Sequence, residues 1–176
     1  VQNDIYPKKQ EINETCLVYG LKSDGVHSNG YTLINKIISQ KNLLPNKDEL
    51  EFNIIEKLLK PTRIYTEVPE LIKSYSDICL GFAHITGGGF QDNIKRILPE
   101  KLSFEFTVDL SKTWQPIFSW IQKNSKLTTS EMLNIYNCGI GMVVILKTDG
   151  TKKSIEMIEK YGLKKIGKLV IKNGCF

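Results

Sequence analysis

Arginine and histidine are scarce in this sequence of 176 residues. Arg63 and Arg96 are the only arginines among 24 basic residues, and His27 and His84 are the only histidines. Surfaces that bind nucleic acid usually concentrate arginine and aromatic residues, whereas the lysines here are spread along the chain. At a net charge of +5 we therefore expect a solvated lysine surface and no nucleic-acid partner, with a basic RNA-binding domain as the minor alternative.

Paired cysteines and long apolar runs are also missing. The four cysteines form no CxxC pair and none is next to a histidine, so we expect reduced, buried thiols rather than a zinc or redox site. They are Cys16, Cys79, Cys138 and Cys175. No apolar run approaches the roughly 18 residues of a membrane span, and the first residues lack a signal region. We expect a cytoplasmic protein with no membrane partner.

Length and composition fit one folded domain. Hydrophobic residues make up 41% and charged residues 24% of the chain, which are ordinary globular values. A chain of about this length buries roughly 70% of its unfolded surface, which is enough for stability without disulfides or a structural metal. Residues 1–14 are polar and include Pro7, as in a linker or an edge strand, and residues 15–176 form the expected domain.

A strand, a glycine-rich loop and a helix follow one another twice. The apolar run 15–19 precedes a loop and then apolar residues at helical spacing over 33–38. The run 78–85 precedes the glycine triplet 87–89 and a second helical pattern over 94–98. Both units are typical of layered α/β domains.

The remaining segments complete this pattern. Helices are predicted at 49–59, 69–74, 114–122 and 152–161, a capping box at Thr128-x-x-Glu131 opens another, and strands are predicted at 102–108, 141–146 and 165–171. Several connections are short. The sequence therefore predicts an α/β layered sandwich with a mixed rather than a purely parallel sheet.

The two glycine-rich loops are the strongest signal of a binding site. Glycine lets the backbone come close to a ligand, and a helix that starts there adds partial positive charge, so the loops suit an anion such as phosphate. Tight turns without a ligand explain the same glycines equally well. Neither loop is a GxxxxGK[ST] phosphate loop or a GxGxxG fingerprint.

Several side chains near these loops have more than one interpretation. His27 lies in a partly exposed loop among polar neighbours and suits a general base, a phosphate donor or a structural residue with a fixed tautomer. His84 lies among apolar residues, where a core position is favoured over a catalytic one. Ser28 either caps the next helix or contacts a ligand. Arg63 follows a proline and either binds phosphate or forms an ion pair; for Arg96, a salt bridge on a helix is favoured.

Four segments together resemble the phosphoribosylformylglycinamidine cyclo-ligase (AIR synthetase) family. They are 25–33 (GVHSNGYTL), 61–65 (PTRIY), 83–89 (AHITGGG) and 136–142 (YNCGIGM), in the family's order and at similar spacing. The resemblance covers nearly the whole chain but only the C-terminal half of the family's enzyme. It implies the fold of that half, with the N-terminal ATP-binding half absent.

The resemblance also implies a reaction. ATP phosphorylates the formamide oxygen of formylglycinamidine ribonucleotide, the amidine nitrogen attacks the activated carbon, and aminoimidazole ribonucleotide forms as phosphate leaves. ATP and Mg²⁺ would be bound mainly by the N-terminal half, so we expect no metal ligands here and no activity from this chain alone. The implied partners are the substrate, the N-terminal domain and a second copy of the whole enzyme.

Within this resemblance we expect His27 and Asn29 to act on the amidine. Substrate or phosphate binding is expected of Ser28, Gly30, Arg63, Thr86, Gly87, Gly88, Gly89 and Asn137. A free-standing, non-catalytic module that binds phosphate or a nucleotide is the alternative function.

Overall fold

A computed structural model describes residues 6–40 and 49–172. Within these residues the strands are β1 (Leu17–Lys22), β2 (Cys79–His84), β3 (Leu102–Phe106), β4 (Ile140–Leu146) and β5 (Lys164–Ile171). The helices are α1 (Tyr31–Gln40), α2 (Glu49–Leu58), α3 (Glu67–Ser74), α4 (Gly89–Lys95), α5 (Pro116–Ser125), α6 (Thr129–Ile135) and α7 (Lys152–Tyr161), with a 3₁₀ helix at Leu110–Thr113. The elements predicted from local patterns are confirmed, with boundaries shifted by a few residues.

The five strands form one sheet in the order β2-β4-β1-β5-β3, and every neighbouring pair is antiparallel. The predicted α/β class is confirmed, but the expectation of a mixed sheet is wrong for the described residues. The reason lies in the order of the strands. β1 and β2 run in the same direction, but β4 lies between them and runs in the opposite direction. β4 and β5 also share a direction, and β1 lies between them, so no two parallel strands are neighbours.

Helices cover both faces of the central strands. Val143 and Ile145 of β4 belong to a core shared with α1, α4, α5 and α6, whereas Val144 and Leu146 belong to a core shared with α3 and α7. Successive side chains of a strand point to opposite faces, so a strand covered on both sides must be apolar throughout. This explains the uninterrupted run MVVIL, in which each fully buried side chain contributes about 1.5–3 kcal/mol.

The segment before β1 packs beside β2. The backbone N–H of Lys8 donates to the carbonyl oxygen of Leu80 at 2.8 Å, and Ile12 is buried in the first core. Residues 6–14 form turns and bends here, while residues 1–5 and Cys175 lie outside the described part of the chain. The three described cysteines are free and buried, as expected.

The topology brings three loops to one end of the sheet. Lys22 at the end of β1 pairs with Ile140 at the start of β4, and His84 at the end of β2 pairs with Met142. We call residues 23–30 the first glycine loop and residues 85–89 the second. Both loops therefore lie next to the segment that leads into β4.

The predicted capping box opens α6. Thr128 Oγ1 accepts the N–H of Glu131 at 3.2 Å, and Glu131 Oε2 accepts the N–H of Thr128 at 2.8 Å. We predict that Thr128→Ala lowers the free energy of unfolding by about 1 kcal/mol, because the N–H of Glu131 loses its acceptor and Glu131 Oε2 loses the bond from the Thr128 hydroxyl. Urea denaturation measures the change, with Thr128→Ser as the control that retains the hydroxyl. Equal stability of the alanine and serine variants would contradict the assignment.

Candidate functional site

The first glycine loop is held by a buried asparagine from the segment before β4. Asn137 Oδ1 accepts from Ser23 Oγ at 2.8 Å and from the N–H of Gly139 at 2.9 Å, and Asn137 Nδ2 donates to the carbonyl of Gly25 at 3.0 Å. Asn137 is fully buried. The structure therefore places this predicted phosphate-binding residue behind the loop, where its amide binds protein groups.

The second glycine loop is held by another buried asparagine. Asn93 Nδ2 donates to the carbonyl oxygens of Gly89 at 2.7 Å and of Thr86 and Gly87 at 3.3 Å. Thr86 Oγ1 donates to Asn93 Oδ1 at 3.1 Å. Gly88 has a φ of 90°, which favours glycine. The loop is thus fixed from the inside, and sequence reasoning had not assigned this role to Asn93.

The outer side of the second loop offers backbone groups. Gly87 and Gly88 are exposed, and within the described residues their N–H groups have no hydrogen-bond acceptor. Gly89 is different, because a Cβ there would lie 2.1 Å from the carbonyl oxygen of Leu133 in α6. Free, adjacent N–H groups at a turn suit an anion. Phosphate binding by Gly87 and Gly88 stays a prediction, whereas Gly89 has a steric reason to lack a side chain.

The two glycine loops lie side by side. A Cβ built on Gly87 would be 3.8 Å from Asn29 Oδ1, and Asn29 is half-buried at the edge between the loops. Ser28 is exposed and its Oγ lies 3.2 Å from Thr62 Oγ1. Ser28 is not the cap of α1, because Gly30 directly precedes that helix. Asn29 is therefore close enough to the second loop to share a ligand with it.

Gly30 is placed for packing against an aromatic ring. A Cβ on Gly30 would lie 2.2 Å from the ring of Tyr136, whose hydroxyl donates to the Gly30 carbonyl at 3.1 Å. Tyr136 is fully buried. The structure thus gives Gly30 a reason for lacking a side chain that involves no ligand.

Three aromatic side chains meet at the same end of the sheet. The ring centres of His27 and His84 are 5.8 Å apart, and Tyr65 lies 6.2 Å from His27 and 5.8 Å from His84. Gly141 of β4 leaves room for them, since a Cβ there would be 2.0 Å from Tyr65 Oη and 2.5 Å from His27 Cε1. Sequence reasoning missed Tyr65 as part of the site, although it belongs to the PTRIY segment.

The burial of the two histidines is the reverse of what the sequence predicts. His27 is only 4% exposed, because the first glycine loop folds inward with a φ of 56° at this residue. His84 is exposed, because strand alternation places it on the opposite face from the buried Ala83 and Ile85. The expectations of a partly exposed His27 and a core His84 are both wrong.

Arg63 is engaged by protein groups. Its Nη1 donates to the carbonyl of Lys22 at 2.8 Å, its Nη2 forms an ion pair with Glu67, and its guanidinium lies over the Tyr65 ring at 5.1 Å. Tyr65 Oη donates to the same Lys22 carbonyl at 3.2 Å. The ion-pair interpretation of Arg63 is confirmed, and phosphate binding by its remaining N–H groups stays a prediction. Arg96 lies exposed just after α4.

The described residues contain no group of three or more histidine, cysteine, aspartate or glutamate side chains that could hold a metal ion. None of the helices in residues 6–40 and 49–172 is long and apolar enough to cross a membrane.

Fold and site together define an α/β layered domain with a candidate anion site between two glycine loops. A family model described as "AIR synthase related protein, C-terminal domain" matches residues 14–175. The match covers most of the chain, so the chain belongs to this family. The family expected from the four sequence segments is thereby confirmed.

Three curated relatives carry the name phosphoribosylformylglycinamidine cyclo-ligase. The protein of Bacillus cytotoxicus is 44% identical over 159 residues, which cover 87% of this chain and 44% of the relative. The proteins of Bacillus cereus strain Q1 and Bacillus thuringiensis strain Al Hakam are each 42% identical, over 159 and 157 residues, with the same coverage. This chain spans less than half the length of these relatives.

Burial makes protonation of His27 unfavourable. The pKa of His27 is lowered from its ordinary 6.5 to about 4, first by the loss of water around the ring and then by His84 and Arg63, against the opposing charge of Asp24. Partial loss of water around its ring also lowers the pKa of His84, although the side chain remains exposed, and burial raises the pKa of Tyr65. His27 is therefore a neutral imidazole in the folded protein at neutral pH.

We predict that acidification from about pH 6.5 to about pH 4 destabilises the fold. In this range the unfolded chain protonates His27 while the folded chain does not, so protons favour the unfolded state. The stabilisation from the neutral ring, about 1–3 kcal/mol, is complete above pH 6.5 and is lost as the pH falls through about 4.

Urea unfolding at a series of pH values measures this effect. Between these pH values the free energy of unfolding should fall less for His27→Gln than for the unaltered chain. For His84→Gln, in which the exposed histidine is replaced, it should fall by nearly as much as in the unaltered chain. An identical drop in the unaltered chain and in His27→Gln would contradict the prediction.

Proposed function

We propose that this chain is the substrate-side half of a phosphoribosylformylglycinamidine cyclo-ligase of purine biosynthesis. In the proposed reaction, ATP phosphorylates the formamide oxygen of formylglycinamidine ribonucleotide. Attack by the amidine nitrogen closes the ring, phosphate leaves, and aminoimidazole ribonucleotide is formed. Family membership and the curated relatives support this proposal.

One observation carries the site assignment: the two glycine loops adjoin, with Asn29 beside Gly87. The acceptor-free N–H groups of Gly87 and Gly88 face a substrate phosphate or the transferred phosphoryl group in this proposal, with Thr86 at the edge of the loop. Donors that are already in position need little rearrangement when negative charge develops on the ligand. Asn29 and Ser28 would contact the substrate from the opposite loop.

Arg63 contributes positive charge close to these loops. Its ion pair with Glu67 and its bond to the Lys22 carbonyl fix the guanidinium, so a phosphate would meet a charge already in place. In our proposal three residues do not contact the ligand but shape the loops that do. Gly30 and Gly89 allow close packing because they lack a side chain, and Asn137 holds the first loop by hydrogen bonds.

ATP, Mg²⁺ and a second domain complete the proposal. We infer that they belong mainly to the part of the enzyme that the relatives have beyond the 44% matched here. The described residues offer no cluster of metal ligands, and no step is assigned to Mg²⁺ on this chain. We place the whole enzyme in the cytoplasm as a homodimer, where thiols such as the buried Cys138 stay reduced.

A domain exchange tests the proposed function. A chimaera carries residues 14–175 of this chain in place of the corresponding domain of the Bacillus cytotoxicus cyclo-ligase. We predict that it releases ADP and forms aminoimidazole ribonucleotide from formylglycinamidine ribonucleotide, while the 176-residue chain alone does neither. A folded, dimeric chimaera without turnover would overturn the proposal in favour of a binding module, and turnover by the chain alone would overturn the division between halves.

The second loop has its own test in the same chimaera. Gly87→Ala adds a methyl group at a position with ordinary φ and only Asn29 Oδ1 nearby, at 3.8 Å, so folding should be unaffected. We predict that KM for the ribonucleotide rises by roughly 10-fold or more, because the methyl group intrudes where the phosphate approaches. Gly150→Ala, whose Cβ would meet only Thr148 Oγ1 at 4.0 Å, is the matched control. An unchanged KM for Gly87→Ala would mean that the loop is only a turn.

A further inference from the structure

The two nitrogens of the His27 imidazole have different surroundings. Nε2 accepts the backbone N–H of Asp24 at 3.2 Å. Nδ1 is enclosed and, within the described residues, has no hydrogen-bond partner. A backbone N–H can only donate, so Nε2 must carry a lone pair, and the neutral ring then carries its proton on Nδ1. The local geometry thus selects one tautomer.

The same surroundings oppose a charged ring. Protonation of Nε2 would turn the bond from Asp24 N–H into a contact between two donors. The groups that face the ring are the Asp24 carboxylate, His84, Arg63 and the neutral phenol of Tyr65. Only the Asp24 carboxylate favours the charge, and burial, His84 and Arg63 outweigh it.

A general base needs a free lone pair within reach of the proton that it removes. The Nε2 lone pair of His27 is taken by Asp24 N–H, and Nδ1 holds a proton in a closed space. His84, in contrast, is exposed at the same end of the sheet. The chain has no third histidine.

We propose that His27 is a positioning residue and not the acid–base group of the site. Its neutral imidazole fixes the first glycine loop through the N–H of Asp24 and packs beside His84 and Tyr65. The proposal rests on the proposed function, since it concerns how the substrate loop is held. In this proposal the ring of His27 holds the inward turn of the loop together with Asn137, and with it the place of Asn29.

The tautomer is tested on the 176-residue chain without any substrate. Long-range ¹H–¹⁵N spectra distinguish protonated from unprotonated imidazole nitrogens, and His84→Asn identifies which of the two sets of signals belongs to His27. We expect a single neutral form of His27 with the proton on Nδ1, unchanged from about pH 8 to about pH 5.5. A proton on Nε2, or titration of His27 near its ordinary pKa of about 6.5, would overturn the proposal whether or not the cyclo-ligase activity is found.

Paired variants in the chimaera test the role. His27→Gln can place an amide oxygen near the Nε2 position and accept Asp24 N–H, whereas His27→Met has similar length and no such acceptor. We expect His27→Gln to lose at most about 10-fold in kcat and to keep the acid limb of the pH–rate profile, and His27→Met to raise KM as the loop loosens. If folded His27→Gln loses about 10²- to 10⁴-fold in kcat together with that acid limb, His27 is the acid–base group and the proposal is wrong.

Discussion

The first glycine loop of the candidate site depends on the buried amide of Asn137. Asn137 connects the loop after β1 to the loop before β4 through Ser23, Gly25 and Gly139. These partners are far apart in sequence but meet because β1 and β4 are neighbours in the sheet. A buried polar group left without partners costs about 1–3 kcal/mol, so the amide stabilises this one arrangement of the loops against others.

Asn93 does the same for the second loop, on a shorter scale. Its amide draws the carbonyls of Thr86, Gly87 and Gly89 to the inside, within seven residues of chain. Gln115 supports the first loop from a third direction, with Nε2 donating to the carbonyl of Ser23 at 2.8 Å. Buried side-chain amides, rather than regular secondary structure, therefore set the shape of both loops.

Local patterns in the sequence were enough to predict most helices and strands, because each pattern acts within a few residues. The capping box at Thr128 is a clear case, since both of its bonds span three residues. Strand order was not predictable in this way. That β4 would lie between β1 and β2 depends on packing over both faces of the sheet, which no short segment encodes.

The site shows the same division between local and distant causes. The glycine loops were visible as glycine-rich segments, and their adjacency was not. Burial of His27 depends on a positive φ and on Asn137, more than 100 residues away. Exposure of His84 had a local signal in the strand alternation with Ala83 and Ile85, but its apolar neighbours suggested a core position instead.

Gly141 shows why the missing side chain at one position matters to the whole cluster. Its φ is ordinary, so the requirement for glycine is steric: a Cβ would overlap Tyr65 Oη and crowd His27 Cε1. Because Tyr65 and Arg63 share the Lys22 carbonyl, displacing the Tyr65 hydroxyl would also disturb the guanidinium. Strand β4 thus sets the depth at which the aromatic side chains lie, and that depth allows His27 to be buried while His84 remains exposed beside the two loops.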